Sequence, residues 1–172
     1  MDEKKYVSRG GLKLEHALKE FGVDVVGMTV LDVGSSTGGF VDCLLQHGAK
    51  KIYSVDTAYG ELAYKLRIDP RVVVMERKNI LFLDSLPEPV DLITIDVTFT
   101  SLKRILPVVK KFGNKIIALL KPQYENQSLA LKHRGVIPRE NLDDIVKGFE
   151  YQKITESPIL GGSGNKEYLL YI

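Results

Sequence analysis

The chain has 172 residues, of which 44% are hydrophobic and 27% charged, and it carries a net charge of +2. That is an ordinary globular balance, with enough chain for one domain and a substantial core. No stretch approaches the roughly 18 uninterrupted apolar residues of a membrane span, and the opening MDEKKYVSRGG has no apolar leader segment, so an intracellular, cytoplasmic protein is expected. The single cysteine, Cys43, has no partner for a disulfide, and His16, His47 and His133 are too scattered for ligand spacing, so no metal is expected.

Short apolar runs alternate with helical patterns along the whole chain. Residues 11–22 place Leu12, Leu14, Ala17, Leu18 and Phe21 near one helical stripe, with Gly22 as the stop. MTVLDVG reads as a buried strand ending in glycine, GFVDCLLQHG as a helix ending at Gly48, and KIYSVD as a second strand. GELAYKLRIDP reads as a helix stopped before Pro70, followed by strands RVVVME and VDLITID. SLKRILPVVKKFG predicts a helix carrying Pro107, and KIIALLKP a fifth strand closed by proline. Residues 123–138 read as loop and 139–150 as helix, with YQKITESPI and KEYLLYI as closing strands.

Strands alternating with helices imply an α/β, Rossmann-like fold: a seven-stranded, mostly parallel sheet with helices on both faces. The short GGSGN segment between the last two strands predicts that the final strand enters antiparallel. Ligands in such sheets bind beyond the carboxyl ends of the strands, at the switch point of strand order. The residues of interest are therefore those after each strand: Gly34 to Phe40, Asp56, Glu76 to Asn79, Asp96 and Lys121.

The turn Asp32-Val33-Gly34-Ser35-Ser36-Thr37-Gly38-Gly39-Phe40 lets the backbone approach a ligand closely. Its glycine spacing departs from the dinucleotide fingerprint, and Phe40 stands where a triphosphate-binding loop needs lysine. A turn without phosphate chemistry suits an adenosine carrying an amino-acid tail, which points to S-adenosyl-L-methionine. Asp56 ends the second strand, where a carboxylate can accept both ribose hydroxyls, and Asn79 follows the third, where it can meet an adenine edge. The competing reading is a turn that packs helix on strand, with Asp56 as a cap.

The methyl acceptor is read from the later strands. DVTF after the fourth strand lacks the paired prolines common in enzymes that methylate base amines, and Cys43 reads as a small core residue rather than a nucleophile. Lys121 ends an apolar strand, and a desolvated lysine near other cations can serve as a base toward a hydroxyl. A surface lysine at a strand end is the bland alternative.

These residues also carry a resemblance. YVSRGGLKLEHAL, VLDVGSSTGGFVDCLLQHGA, VDTAYGELAYKLRIDPRVVVMERKNI, VDLITIDVTFTSL, ALLKPQYE and SPILGGSGNKEYLLYI resemble, in order, the motifs of the hemolysin-A-like family of FtsJ-like ribosomal-RNA ribose methyltransferases. The resemblance runs from about Tyr6 to Ile172 and implies 2′-O-methylation of ribosomal RNA with S-adenosyl-L-methionine. It implies a catalytic set of Lys13, Asp96, Lys121 and Glu167. It implies a cofactor set of Gly34, Ser35, Gly38, Gly39, Phe40, Asp56, Asn79 and Asp96. Typical members carry a small RNA-binding domain before SRGG. Here 1–172 is expected to form one methyltransferase domain, with 1–22 as an N-terminal helical segment and no separate front domain.

Positive charge gathers in three groups: Lys4, Lys5, Arg9 and Lys13; Lys103, Arg104, Lys110, Lys111 and Lys115; and Lys132, His133, Arg134 and Arg139. Such groups can track a phosphate backbone, and solvated helix faces explain them equally well. Arg9, Lys103 and Arg134 are the expected RNA contacts. A non-catalytic RNA-binding module, a membrane-active lysin and a methyltransferase for small-molecule hydroxyls remain the alternatives.

Overall fold

The computed structural model describes residues 5–172. One sheet of seven strands organises them: β1 (Thr29–Val33), β2 (Lys51–Val55), β3 (Val72–Met75), β4 (Leu92–Ile95), β5 (Ile116–Leu120), β6 (Lys153–Glu156) and β7 (Tyr168–Tyr171). The order is β3-β2-β1-β4-β5-β7-β6. β7 pairs antiparallel with both β5 and β6, and every other pairing is parallel. The expected reversed last strand is present. Its direction brings the residue before it, Glu167, to the rim where β4 and β5 end.

Alternating side chains feed two cores, as the pleat requires. Val30, Ile52, Leu92, Ile117 and Leu169 face the layer of α1 (Gly10–Phe21) and α2 (Gly39–Gln46). Leu31, Val55, Ile93, Ile95 and Leu120 face the opposite layer, which includes α4 (Leu102–Val109). Cys43 is fully buried in the first core, and burial pushes its thiol up to about 12, which leaves it unreactive.

Five local expectations change. The N-terminal helix begins at Gly10, so residues 5–9 are a non-helical arm rather than part of a helical segment, and residues 1–4, including Lys4, lie outside the described residues. Leu12 is exposed, because it sits about 200° around the helix from buried Leu14. The helix expected over 60–70 shrinks to α3 (Tyr64–Arg67). Upstream backbone donors are committed elsewhere: Gly60 N–H to Glu76 Oε1 at 2.9 Å and Ala63 N–H to Thr37 O at 3.0 Å. The expected loop holds α5 (Pro122–Glu125) and α6 (Gln127–Lys132). Pro122 opens the first, and the Asn126 side chain caps the second by accepting from Leu129 N–H at 3.1 Å. The helix expected over 139–150 contracts to a 3-10 turn and α7 (Leu142–Val146).

Candidate active site

β1 and β4 are neighbours, yet the chain leaves β1 toward β2 on the other side, so the switch point opens between them. A cavity of about 600 Å³ lies there, within the usual range for a small-molecule site. Its lining includes Arg9, Lys13, Gly34, Ser35, Gly39, Phe40, Asp56, Asn79, Asp96 and Lys121.

The glycines have separate reasons. Gly34 has φ +83°, and a Cβ there would overlap the Asp96 carbonyl oxygen. This position lets the end of β1 press on the end of β4. Gly38, at φ +101°, lies outside the lining; a side chain there would strike Leu62 and Leu66. Gly39 packs against the N-terminal arm, where a Cβ would overlap Ser8 Oγ and stand 2.9 Å from Gly11 N. The arm is pinned by Val7 N–H donating to Asp42 Oδ2 at 2.9 Å. That docking brings Arg9 and Lys13 to the cavity.

Three carboxylates surround the turn. Asp56 accepts from Ser36 N–H at 2.7 Å and Ala58 N–H at 2.8 Å, which fixes its orientation and leaves lone pairs for a ligand. Asp96 Oδ1 is buried and makes no hydrogen bond, although it stands 2.6 Å from Lys121 Nζ as an ion contact. Asp32 is 0% exposed; it accepts from Ser35 Oγ at 2.7 Å and Thr94 Oγ1 at 2.6 Å. Burial pushes its carboxyl up to about 6, against the two hydroxyl donors that lower it. The ionised form is the costly one in the fold. Its stabilising balance is therefore intact near pH ~4 and lost as pH rises through about 6. Asp32→Asn is expected to remove this loss. Urea unfolding at about pH 4 and about pH 7 should show the variant gaining roughly 2 kcal/mol on the parent between the two conditions. A gain of zero would show that burial does not raise the Asp32 carboxyl.

The lysines expected from sequence each meet a carboxylate. Lys13 Nζ donates to Glu167 Oε2 at 2.5 Å, across 154 positions of sequence, with Glu167 3% exposed. Lys121 pairs with Asp96 as described. Lys13, Asp96 and Lys121 line the cavity directly, and Glu167 reaches it through Lys13. Asn79 lines the cavity, but its side-chain oxygen accepts from Leu81 N–H at 3.0 Å and caps a short 3-10 turn.

Of the expected RNA contacts, only Arg9 lines the cavity. Lys103 lies elsewhere, with Nζ 5.4 Å from the Phe149 ring centre. Arg134 sits on an exposed turn at φ +55°. Sequence reasoning missed Asp32, although it begins the glycine turn, and Phe99, three residues past Asp96. Phe99 lines the cavity, is 81% exposed, holds φ +61°, and leans on Tyr124 with ring centres 5.4 Å apart.

Comparison with known proteins agrees with this geometry. The model of the FtsJ-like methyltransferase family matches residues 6–172. YqxC of Bacillus subtilis is 46% identical, the match covering 98% of this chain and 66% of YqxC. The 16S/23S rRNA (cytidine-2′-O)-methyltransferase TlyA of Mycobacterium tuberculosis is 37% identical over 99% of this chain and 69% of its own length. This chain thus spans about two thirds of these relatives. A solved structure from Lactococcus lactis, described as a hemolysin, superposes with a TM-score of 0.88 at 41% identity, covering 98% of this chain and 88% of that one. This chain belongs to the FtsJ-like methyltransferase family.

Proposed function

We propose that this chain transfers the methyl group of S-adenosyl-L-methionine to a ribose 2′-hydroxyl of ribosomal RNA. The observation that carries the reading is the pairing of two lysines with two carboxylates at one cavity: Lys121 with Asp96 at 2.6 Å and Lys13 with Glu167 at 2.5 Å. A hydroxyl is a poor acid, and its methylation calls for a nearby group to take its proton.

The residues present fit the cofactor. The backbone at Gly34 lines the cavity, Phe40 offers an apolar wall, and Asp56 holds a fixed carboxylate in the same lining as Asn79. Asp96 lines the same cavity and places a carboxylate, already paired with Lys121, where a cationic amino-acid tail can meet it. The bound cofactor supplies a methyl already activated on sulfonium, so the protein's share is positioning and proton transfer. Lys121, after giving its own ammonium proton to solvent, takes the proton from the 2′-hydroxyl. Asp96 orients Lys121, Lys13 holds the adjoining phosphate or hydroxyl, and Glu167 fixes Lys13. Phe99 offers an exposed ring at the rim for stacking an unpaired base, a common mode of RNA recognition. In this reading residues 6–172 act as one catalytic domain, and the ribosomal substrate places the activity in the cytoplasm.

Tritiated methyl transfer into isolated ribosomal subunits, followed by mapping of the labelled nucleotide, tests the reading. Label on a ribose 2′-oxygen is expected; label on a base, or none, overturns it. Asp56→Ala is expected to weaken cofactor binding by roughly 10- to 100-fold, the scale of charge-assisted hydrogen bonds, measured by calorimetry. Arg9, Lys103 and Arg134 are proposed to meet phosphates. RNA affinity should then fall steeply between about 50 and about 200 mM salt, with a shallower slope in the triple alanine variant. Equal slopes would remove these three residues from the interface.

A further inference from the structure

The Lys13–Glu167 pair needs something to hold it, because a buried cation is useful only while its partner stays in place. Two backbone features support Glu167. Its carbonyl accepts from Ser157 N–H at 2.9 Å. The backbone at Gly161 lies directly against its carboxylate, so that a Cβ at 161 would overlap Oε1 and stand 2.9 Å from Cδ. Gly161 N–H in turn donates to Asn165 O at 2.9 Å.

Asn165 is 1% exposed, and both ends of its amide are used. Its Oδ1 accepts from Ile137 N–H at 2.9 Å, and its Nδ2 donates to Gly135 O at 2.8 Å. The segment it grips continues from the end of α6, whose last residue is exposed Lys132, and carries exposed His133 and Arg134. Arg134 and Gly135 are consecutive left-handed residues, at φ +55° and +89°. Ile137 anchors the far side of the turn in a small cluster with Ala130 and Leu142, against which Tyr168 packs. A basic turn thus ends on a buried amide two residues from Glu167.

We propose that Asn165 is a positioning residue that joins this basic turn to the Glu167–Lys13 pair, so that RNA held at Lys132, His133 and Arg134 and the lysine at the cavity share one fixed geometry. The inference rests on the proposed methyl transfer to RNA. Only a carboxamide serves both backbone groups: aspartate cannot donate to Gly135 O, and alanine leaves both groups unpaired. Because Asn165 lies outside the cavity lining, its effect passes through Glu167 and spares the cofactor.

The test is a double-mutant cycle on the full chain with ribosomal subunits as substrate. Asn165→Ala is expected to lower kcat by about tenfold or more, a scale set by small misplacements of reacting groups. S-adenosyl-L-methionine affinity should stay within about twofold. Adding Asn165→Ala to Glu167→Gln should change kcat by less than about twofold beyond Glu167→Gln alone. Full additivity, or wild-type kcat in a folded Asn165→Ala protein, overturns the proposal. Gly161→Ala is the second variant should Asn165→Ala fail to fold. It displaces the Glu167 carboxylate without touching the amide, and should lower kcat while backbone exchange at 133–138 stays at the wild-type rate. Unchanged kcat there also overturns the proposal. Hydrogen exchange separates this idea from the methyltransferase reading. In Asn165→Ala, segments 133–138 and 161–168 should both exchange faster, and acceleration of one alone breaks the link. Loss of all transfer by the wild-type chain would instead remove the RNA reading and leave the exchange result to stand alone.

Discussion

Lys121→Ala is expected to lower methyl transfer by between about 10²- and 10⁴-fold, the range contributed by a positioned proton acceptor. Cofactor affinity should change by less than about threefold. The split follows from where the side chain sits. Lys121 closes β5 and places Nζ 2.6 Å from Asp96 Oδ1, while the glycine turn and Asp56 sit on β1 and β2, across β4. Single-turnover methyl transfer beside calorimetry with S-adenosyl-L-methionine reads both quantities. A parallel loss in rate and cofactor affinity would make Lys121 a cofactor ligand. Undiminished transfer would end its assignment as the base.

Gly34→Ala has the second large effect, and for a different reason. At φ +83° an alanine is strained wherever it stands, and here its Cβ would also overlap the carbonyl oxygen of Asp96. Backbone cannot rotate away as a flexible side chain can. The strands must separate, against the pairing of Val33 with Ile95 and the bond from Asp96 N–H to Val33 O at 2.9 Å. Strain of this type costs roughly 3 kcal/mol, which lowers the melting temperature by about 6–12 °C in a domain of this size. Methyl transfer should fall further than stability accounts for, because the turn and Asp96 shift together. Thermal unfolding and an assay well below the melting transition distinguish the two losses. A variant with wild-type melting would show that the close approach is dispensable.

The alternation of strands and helices, the mostly parallel seven-stranded sheet and the reversed final strand were legible in the chain, and the residues that the resemblance implied, Lys13, Asp96, Lys121 and Glu167, come together in two ion pairs at one cavity. Each lies beside a strongly patterned element or inside a motif with fixed spacing. What sequence could not supply was partnership. Nothing in the residues near Lys13 indicates that its carboxylate lies 154 positions away, and nothing in DVTF shows that Phe99 will hold a left-handed backbone at the cavity rim. Asp32 reads as one more strand residue until its two hydroxyl partners, Ser35 and Thr94, are seen. The short helices after Lys121 were missed because four- and six-residue helices carry too little periodicity to register. The expected reach of Asn79 toward adenine rested on its place just past the third strand, and its oxygen already serves the backbone at Leu81.

The reversed β7 has a consequence for how the molecule is made. Lys13 emerges from the ribosome early, and the carboxylate that neutralises it follows 154 residues later, an interval of roughly 8–30 s at ordinary rates of synthesis. Until then the central strands can pair, but β7 cannot enter between β5 and β6. A nascent chain therefore holds the glycine turn long before it holds a complete set of charges. On the proposed reading, the paired lysines and carboxylates are complete only once translation has passed Glu167.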